Sequence, residues 1–107
     1  MGVVVTVPHQ EEPWRVGGRA FQLLVAEVEL LTTDSSFMVR AAALNGLHLE
    51  MEPVPERVRI ATLLAQAART LRAKLLSSDE PTGWELSLAD YLPVLEMWMD
   101  GLEDSPG

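Results

Sequence analysis

The segment PERVRIATLLAQAARTLRAKLL, residues 55–76, is the longest uninterrupted helical pattern in the chain and decides its fold. An apolar residue recurs every three or four positions, as one stripe of an α-helix requires. The stripe consists of Ile60, Leu64, Ala67, Leu71 and Leu75. Pro55 suits the first turn of a helix, because the N–H that proline lacks would have no partner there. The sequence therefore predicts a helix over 55–76 that buries one face.

Length and composition indicate one small domain, residues 1–107, with an N-terminal strand and loop region (1–18) and a short tail (105–107). The chain has 107 residues, of which 48% are hydrophobic, enough for a modest core. Its formal net charge of -8 disfavours direct binding of nucleic acid and of anionic membranes. No cysteine, signal peptide or long apolar run is present, so we expect a cytoplasmic protein without a membrane segment.

The N-terminal third combines a strand pattern with an ambiguous segment. The β-branched run Val3–Val7 predicts a strand, and Trp14–Val16 suggests a second short one. Residues 19–32 have apolar positions at helical spacing, so we interpret them as a helix. The alternative, with 20–31 as a strand, would make the protein α+β.

The middle of the chain predicts a short helix followed by an extended segment. Residues 36–45 form an alanine-rich helical pattern that Asn45-Gly46 would end. Residues 47–51 then alternate apolar and polar side chains, which is typical of a half-buried strand. This segment is the best candidate partner for the Val3–Val7 strand.

The last helix is predicted over 90–103. Ser87 and Asp90 match a weak capping box, but Pro93 would lie too deep in a helix that starts at Leu88. A start at Asp90 would place Pro93 in the first turn, where proline is tolerated, and the alternative is a helix that kinks at Pro93. The fold class that follows is mostly α, a domain of about four helices with a minor β element.

Charge is divided by segment. Residues 56–76 carry five bases and one acid, whereas residues 77–107 carry eight acids and no base. An antiparallel pairing of the last two helices would bring these opposite charges together, and the bases would then serve the fold. In the alternative interpretation, the acidic C-terminal face binds a basic partner or imitates nucleic acid.

Candidate chemistry is sparse. His9, His48 and Glu50 could approach one another if the two strands pair, but their spacing does not define a metal site. We find no hydrolase, metalloprotease or nucleotide-binding motif, so no catalytic, cofactor or metal residue is assigned, and an enzyme is not favoured.

Met97-Trp98-Met99 gives the strongest indication of a partner surface. Three consecutive large apolar residues of a helix cannot all face one core, so at least one must point elsewhere. The predicted interface consists of Tyr91, Leu95, Met97, Trp98 and Leu102, with Val3–Val5 as an alternative strand edge.

The sequence thus predicts a non-catalytic cytosolic interaction or regulatory protein that forms a homodimer or binds another protein. One alternative is an acidic inhibitor of the immunity or antitoxin type, bound to a basic target. The other is a small-molecule binder or enzyme with a pocket lined by Trp14, Trp84 and Trp98.

Overall fold

The computed structural model describes residues 2–7, 11–34, 36–44 and 46–103. The helices and strands, in chain order, are β1 (Gly2–Thr6), β2 (Trp14–Gly17), α1 (Gly18–Leu31), α2 (Ser36–Leu44), β3 (Gly46–His48), α3 (Val54–Leu76) and α4 (Gly83–Glu103). A short 3₁₀ turn, Leu49–Met51, follows β3. This architecture confirms the mostly α class with a minor β element.

Helix α3 is the centre of the fold, as its sequence pattern predicts. It packs against α4 along one side and against α1 along another. The five residues of its predicted apolar stripe are all buried, together with Ala61, Ala65 and Ala68. Alanine has a small side chain, so neighbouring helices can approach the α3 backbone closely.

Residues 18–31 form a helix, so the strand alternative for this segment is wrong. The face of α1 that meets the core is apolar and recurs at helical spacing. It consists of Ala20, Phe21, Leu24 and Val28, each at most 4% exposed. Burial of this one stripe, which an alternating strand could not achieve, decides the conformation.

The three strands form one sheet in the order β2-β1-β3. Strand β1 pairs antiparallel with β2, with Val5 opposite Trp14, and parallel with β3, with Val5 opposite Leu47. The predicted pairing of the N-terminal strand with this region is therefore confirmed for Leu47 and His48. The prediction that the extended segment continues to residue 51 is wrong, because Leu49–Met51 form the 3₁₀ turn. Because β1 has a strand on each side, the alternative in which Val3–Val5 offers a free edge to a partner is wrong.

Helix α4 begins at Gly83, so the predicted start at Asp90 is wrong. The actual cap is Thr82: its hydroxyl accepts the Glu85 N–H at 3.1 Å, and the Glu85 carboxylate accepts the Thr82 N–H at 3.0 Å. This reciprocal pair is a capping box, and it satisfies N–H groups that the first turn leaves without helical partners. Pro93 then lies inside the helix, on its exposed side.

The predicted charge complementarity between α3 and α4 is confirmed. Arg69 donates to both carboxylate oxygens of Asp100, at 2.6 and 2.7 Å, and Arg72 donates to Glu96 at 2.9 Å. Lys74 instead contacts α1, where it donates to the buried Glu27 at 2.7 Å. The C-terminal bases of α3 therefore pair with acids of this chain.

The other two bases of α3 are also bound within the chain. Arg57 donates to the carbonyl oxygens of Leu49, Glu50 and Glu52, and so ties the 3₁₀ turn to the helix. Arg59 donates to the Glu56 carboxylate at 2.7 Å. No helix among the described residues is long and apolar enough to cross a membrane.

The capping assignment gives a first prediction. Replacement of Thr82 by alanine removes the hydroxyl that accepts the Glu85 N–H, and should lower the free energy of unfolding by about 1 kcal/mol. Urea denaturation followed by far-UV circular dichroism would measure the loss.

Ser87→Ala is the matched control, because Ser87 matches a capping-box pattern in the sequence but lies inside the helix in the structure. We expect this change to alter stability by less than ~0.5 kcal/mol. A larger loss from Ser87→Ala than from Thr82→Ala would contradict the observed helix start.

Candidate binding site

Three aromatic residues of α4 are spaced seven positions apart: Trp84, Tyr91 and Trp98. Seven residues are close to two helical turns, so the three side chains leave the helix on nearly the same side, about 10 Å from one another along the axis. We call this set the aromatic stripe. It borders the core-facing side of α4 and lies next to β2, which Tyr91 contacts directly.

The structure divides the predicted interface residues between the core and the surface. Leu95 is fully buried and Leu102 is 7% exposed, so both side chains belong to the packing of α4 in the core. Met97 is 65% exposed and Tyr91 37% exposed, while Trp98 is half-buried. Only these last three residues are available to a partner.

A cleft of about 580 Å³ opens between the aromatic stripe and the segment that leads into β2. We call it the acidic cleft, because both charged residues in its wall are glutamates. The described residues that line it are Glu11, Glu12, Pro13, Trp14, Tyr91, Val94 and Trp98.

Tyr91 is held at this cleft by two contacts with β2. Its ring stacks on that of Trp14, with centroids 5.0 Å apart and planes 14° from parallel. Its hydroxyl oxygen accepts the backbone N–H of Arg15 at 3.1 Å. The stack restrains the face of the ring, and the hydrogen bond restrains its hydroxyl group. The ring therefore has a fixed orientation before any ligand binds.

Trp14 contributes an unused hydrogen-bond donor. Its side chain is only 1% exposed, and its Nε1–H is buried with no acceptor among the described residues. A buried donor without a partner costs about 1–3 kcal/mol.

A second cleft, of about 360 Å³, lies on the other side of Tyr91. We call it the basic cleft, because Arg15 is the one charged residue among the described residues that line it. The described residues that line it are Arg15, Val16, Gly17, Ala20, Trp84, Ser87, Leu88 and Tyr91. The Arg19 guanidinium lies over the Trp84 ring, 4.5 Å from its centroid, and adds a second base at this end.

The acidic cleft has the composition of a cation-binding site. The faces of Trp and Tyr rings attract cations, and carboxylates add a direct charge interaction. The sequence-based hypothesis of one pocket lined by three tryptophans is altered, since Trp14 and Trp98 line this cleft and Trp84 lines the neighbouring one.

The histidine cluster considered from sequence is present only in part. The Thr6 hydroxyl donates to Glu50 at 2.5 Å and lies 2.9 Å from Nδ1 of His48, which is 3.8 Å from the other Glu50 oxygen. His9 lies outside the described residues. Within the described ranges, no three metal-ligating side chains converge.

Glu56 and Arg59, near the start of α3, change each other's pKa. The hydrogen bond from Arg59 holds the pKa of the exposed Glu56 carboxyl below its ordinary value. The same contact raises the pKa of Arg59.

Sequence reasoning did not assign Glu11, Glu12, Arg15 or Arg19 to a site. The seven-residue spacing of the aromatic stripe was a usable signal for the α4 side. Glu11 and Glu12 lie just before β2, Arg15 lies within it and Arg19 lies at the start of α1, so their place beside α4 depends on tertiary packing.

Comparison with known proteins identifies no relative. No family model matches the chain, and no curated protein or solved structure matches it.

The anchoring of Tyr91 gives a second prediction. Tyr91→Phe keeps the stack on Trp14 but removes the acceptor of the Arg15 N–H, so the free energy of unfolding should fall by about 0.5–1.5 kcal/mol. Tyr91→Ala also removes the stack and should cost at least a further ~0.5–1.5 kcal/mol. Urea denaturation would measure both values.

Met97→Ala serves as the control, because this residue lies on the same helix and is largely exposed. Its effect should stay below ~0.5 kcal/mol. If both Tyr91 variants were as stable as the wild-type protein, Tyr91 would not be anchored to β2.

Proposed function

We propose that the protein is a non-catalytic interaction protein that binds a positively charged segment of a partner protein in the acidic cleft. The observation that carries this proposal is the lining of the cleft: three aromatic rings and two carboxylates, with no base among the described lining residues. The proposal keeps the protein in the cytosol, which the absence of cysteine fits.

The Arg19–Trp84 contact supports the chemistry from within the chain. There, a guanidinium lies over a ring of the aromatic stripe at 4.5 Å. Trp98 belongs to the same stripe but has no arginine of this chain over it among the described contacts. A lysine or arginine from a partner could occupy that position, with Glu11 and Glu12 nearby to neutralise it.

The remaining charges favour a protein partner over nucleic acid. All five bases of α3 are bound to carboxylates or carbonyl oxygens of this chain. Phosphate binding depends on available lysine and arginine side chains, which this surface does not concentrate.

Self-association remains a prediction, with the exposed side chains of Tyr91, Met97 and Trp98 as its surface. A net charge of -8 makes two copies repel each other. The same charge attracts a basic partner, so we place binding of a basic segment ahead of a homodimer.

Removal of the two cleft carboxylates gives the third prediction. In Glu11→Gln/Glu12→Gln, affinity for the peptide acetyl-Gly-Ser-Arg-Gly-Ser-amide should fall about thirtyfold, because two charge contacts are lost and each is worth roughly 1 kcal/mol in solvent. A titration followed by intrinsic tryptophan fluorescence would measure this. Binding should also weaken as salt is raised.

The control is Asp79→Asn/Glu80→Gln, which removes the same charge from a pair that lines neither cleft. This variant should bind the peptide within about twofold of the wild-type affinity, a difference well under 1 kcal/mol. Equal losses in both double variants would show that net charge, not the cleft, attracts the peptide.

A further inference from the structure

We propose that the occupant of the site is an extended segment with a basic and an acidic side chain about six residues apart, which spans both clefts. This inference rests on the proposed function, since it assumes that the acidic cleft binds the base. It adds a second contact, in which the basic cleft binds the acid. Recognition would then require a charge pattern rather than positive charge alone.

The charges of the two clefts are opposite and separated. Glu11 and Glu12 are the charged residues in the wall of the acidic cleft. Arg15 is the charged residue in the wall of the basic cleft, and Arg19 lies over Trp84 at the same end. Tyr91 lines both clefts, so a ligand that crosses its exposed ring edge meets a negative region and then a positive one.

The length of the aromatic stripe sets the spacing. Trp84 and Trp98 are 14 positions apart in one helix, which corresponds to about 21 Å. An extended chain rises about 3.3 Å per residue, so roughly six residues cover this distance. A basic and an acidic side chain at that separation reach opposite ends of the stripe.

Arg15 and Arg19, at the basic end, are both available to bind a carboxylate. Neither Arg15 nor Arg19 forms an ion pair among the described residues, in contrast to Arg69 and Arg72. A guanidinium stacked on a ring keeps its N–H groups in the ring-parallel plane, where a carboxylate can bind two of them. Arg19 could thus retain Trp84 and bind the ligand at once.

The outer edge of β2 argues against recognition by strand addition. The N–H of Arg15 already donates to the Tyr91 hydroxyl, so an added strand could not pair at this position without displacing Tyr91. Selectivity must therefore come from side chains along the stripe. The charge pattern of the ligand should therefore determine which segments bind.

The experiment compares peptides built on glycine and serine. One has arginine and glutamate separated by five residues, a second replaces glutamate by glutamine, and a third separates the two charges by one residue. Both chain orders are made for the first and third. Isothermal titration calorimetry should give about fivefold tighter binding for the long-spaced pair, in at least one order, than for its glutamine counterpart.

The gain should disappear with one-residue spacing and in the Arg15→Gln/Arg19→Gln variant. Arg40→Gln is the control, because this exposed arginine lines neither cleft. The Arg40→Gln variant should still bind the long-spaced peptide more tightly than its glutamine counterpart. A gain that survives in the double variant would overturn the assignment of the basic cleft.

Failure of this inference is distinguishable from failure of the proposed function. If the arginine–glutamine peptide binds and glutamate adds nothing at either chain order, the charge pattern is wrong while the acidic cleft stands. If no arginine peptide binds, both proposals fail. If light scattering shows a dimer that Glu11→Gln/Glu12→Gln dissociates, the occupant is a second copy and the inference is overturned.

Discussion

The packing of α4 on α3 is the interaction on which the rest of the structure depends. Leu92, Leu95 and Met99 are fully buried in this contact, and apolar burial of this kind supplies most of the energy of such a helix pair. The carboxylate of Glu96, 9% exposed, lies 2.9 Å from Arg72 and 3.4 Å from Arg69. A buried carboxylate requires its partners, so this contact specifies how α4 is rotated about its axis. That rotation directs Tyr91 toward β2 and creates both clefts.

The same contact explains the electrostatic character of the surface. The bases of α3 are bound by acids of α1, α3 and α4 and by carbonyl oxygens in and next to the 3₁₀ turn. Since the chain has twice as many acids as bases, 16 against 8, internal pairing leaves acids in excess. Glu11 and Glu12 belong to this excess and lie where three aromatic rings meet. Because most bases of α3 pair with acids inside the fold, the acids that remain give this aromatic cleft its negative charge.

Periodicity and charge in the sequence were sufficient to predict α3, α1, the pairing of β1 with β3, and the charge contacts of α4. Each of these features depends on a residue pattern within one segment or on a difference in charge between two segments. The start of α4 was missed because the capping box of Thr82 and Glu85 was overlooked and Pro93 was placed in a first turn. The clefts could not be predicted, because β2 meets α4 only after the chain has folded. Leu95 and Leu102 were grouped with the interface because their depth in the core depends on the rotation of α4.

The most direct measurement follows the three tryptophan indole N–H signals by nuclear magnetic resonance during titration with a peptide whose only charged residue is arginine. If the acidic cleft binds the peptide, the indole signals of Trp14 and Trp98, which line it, should shift. Trp84, already covered by Arg19, should stay in place. A shift confined to Trp84, or no shift of any indole at saturating peptide, would contradict the account.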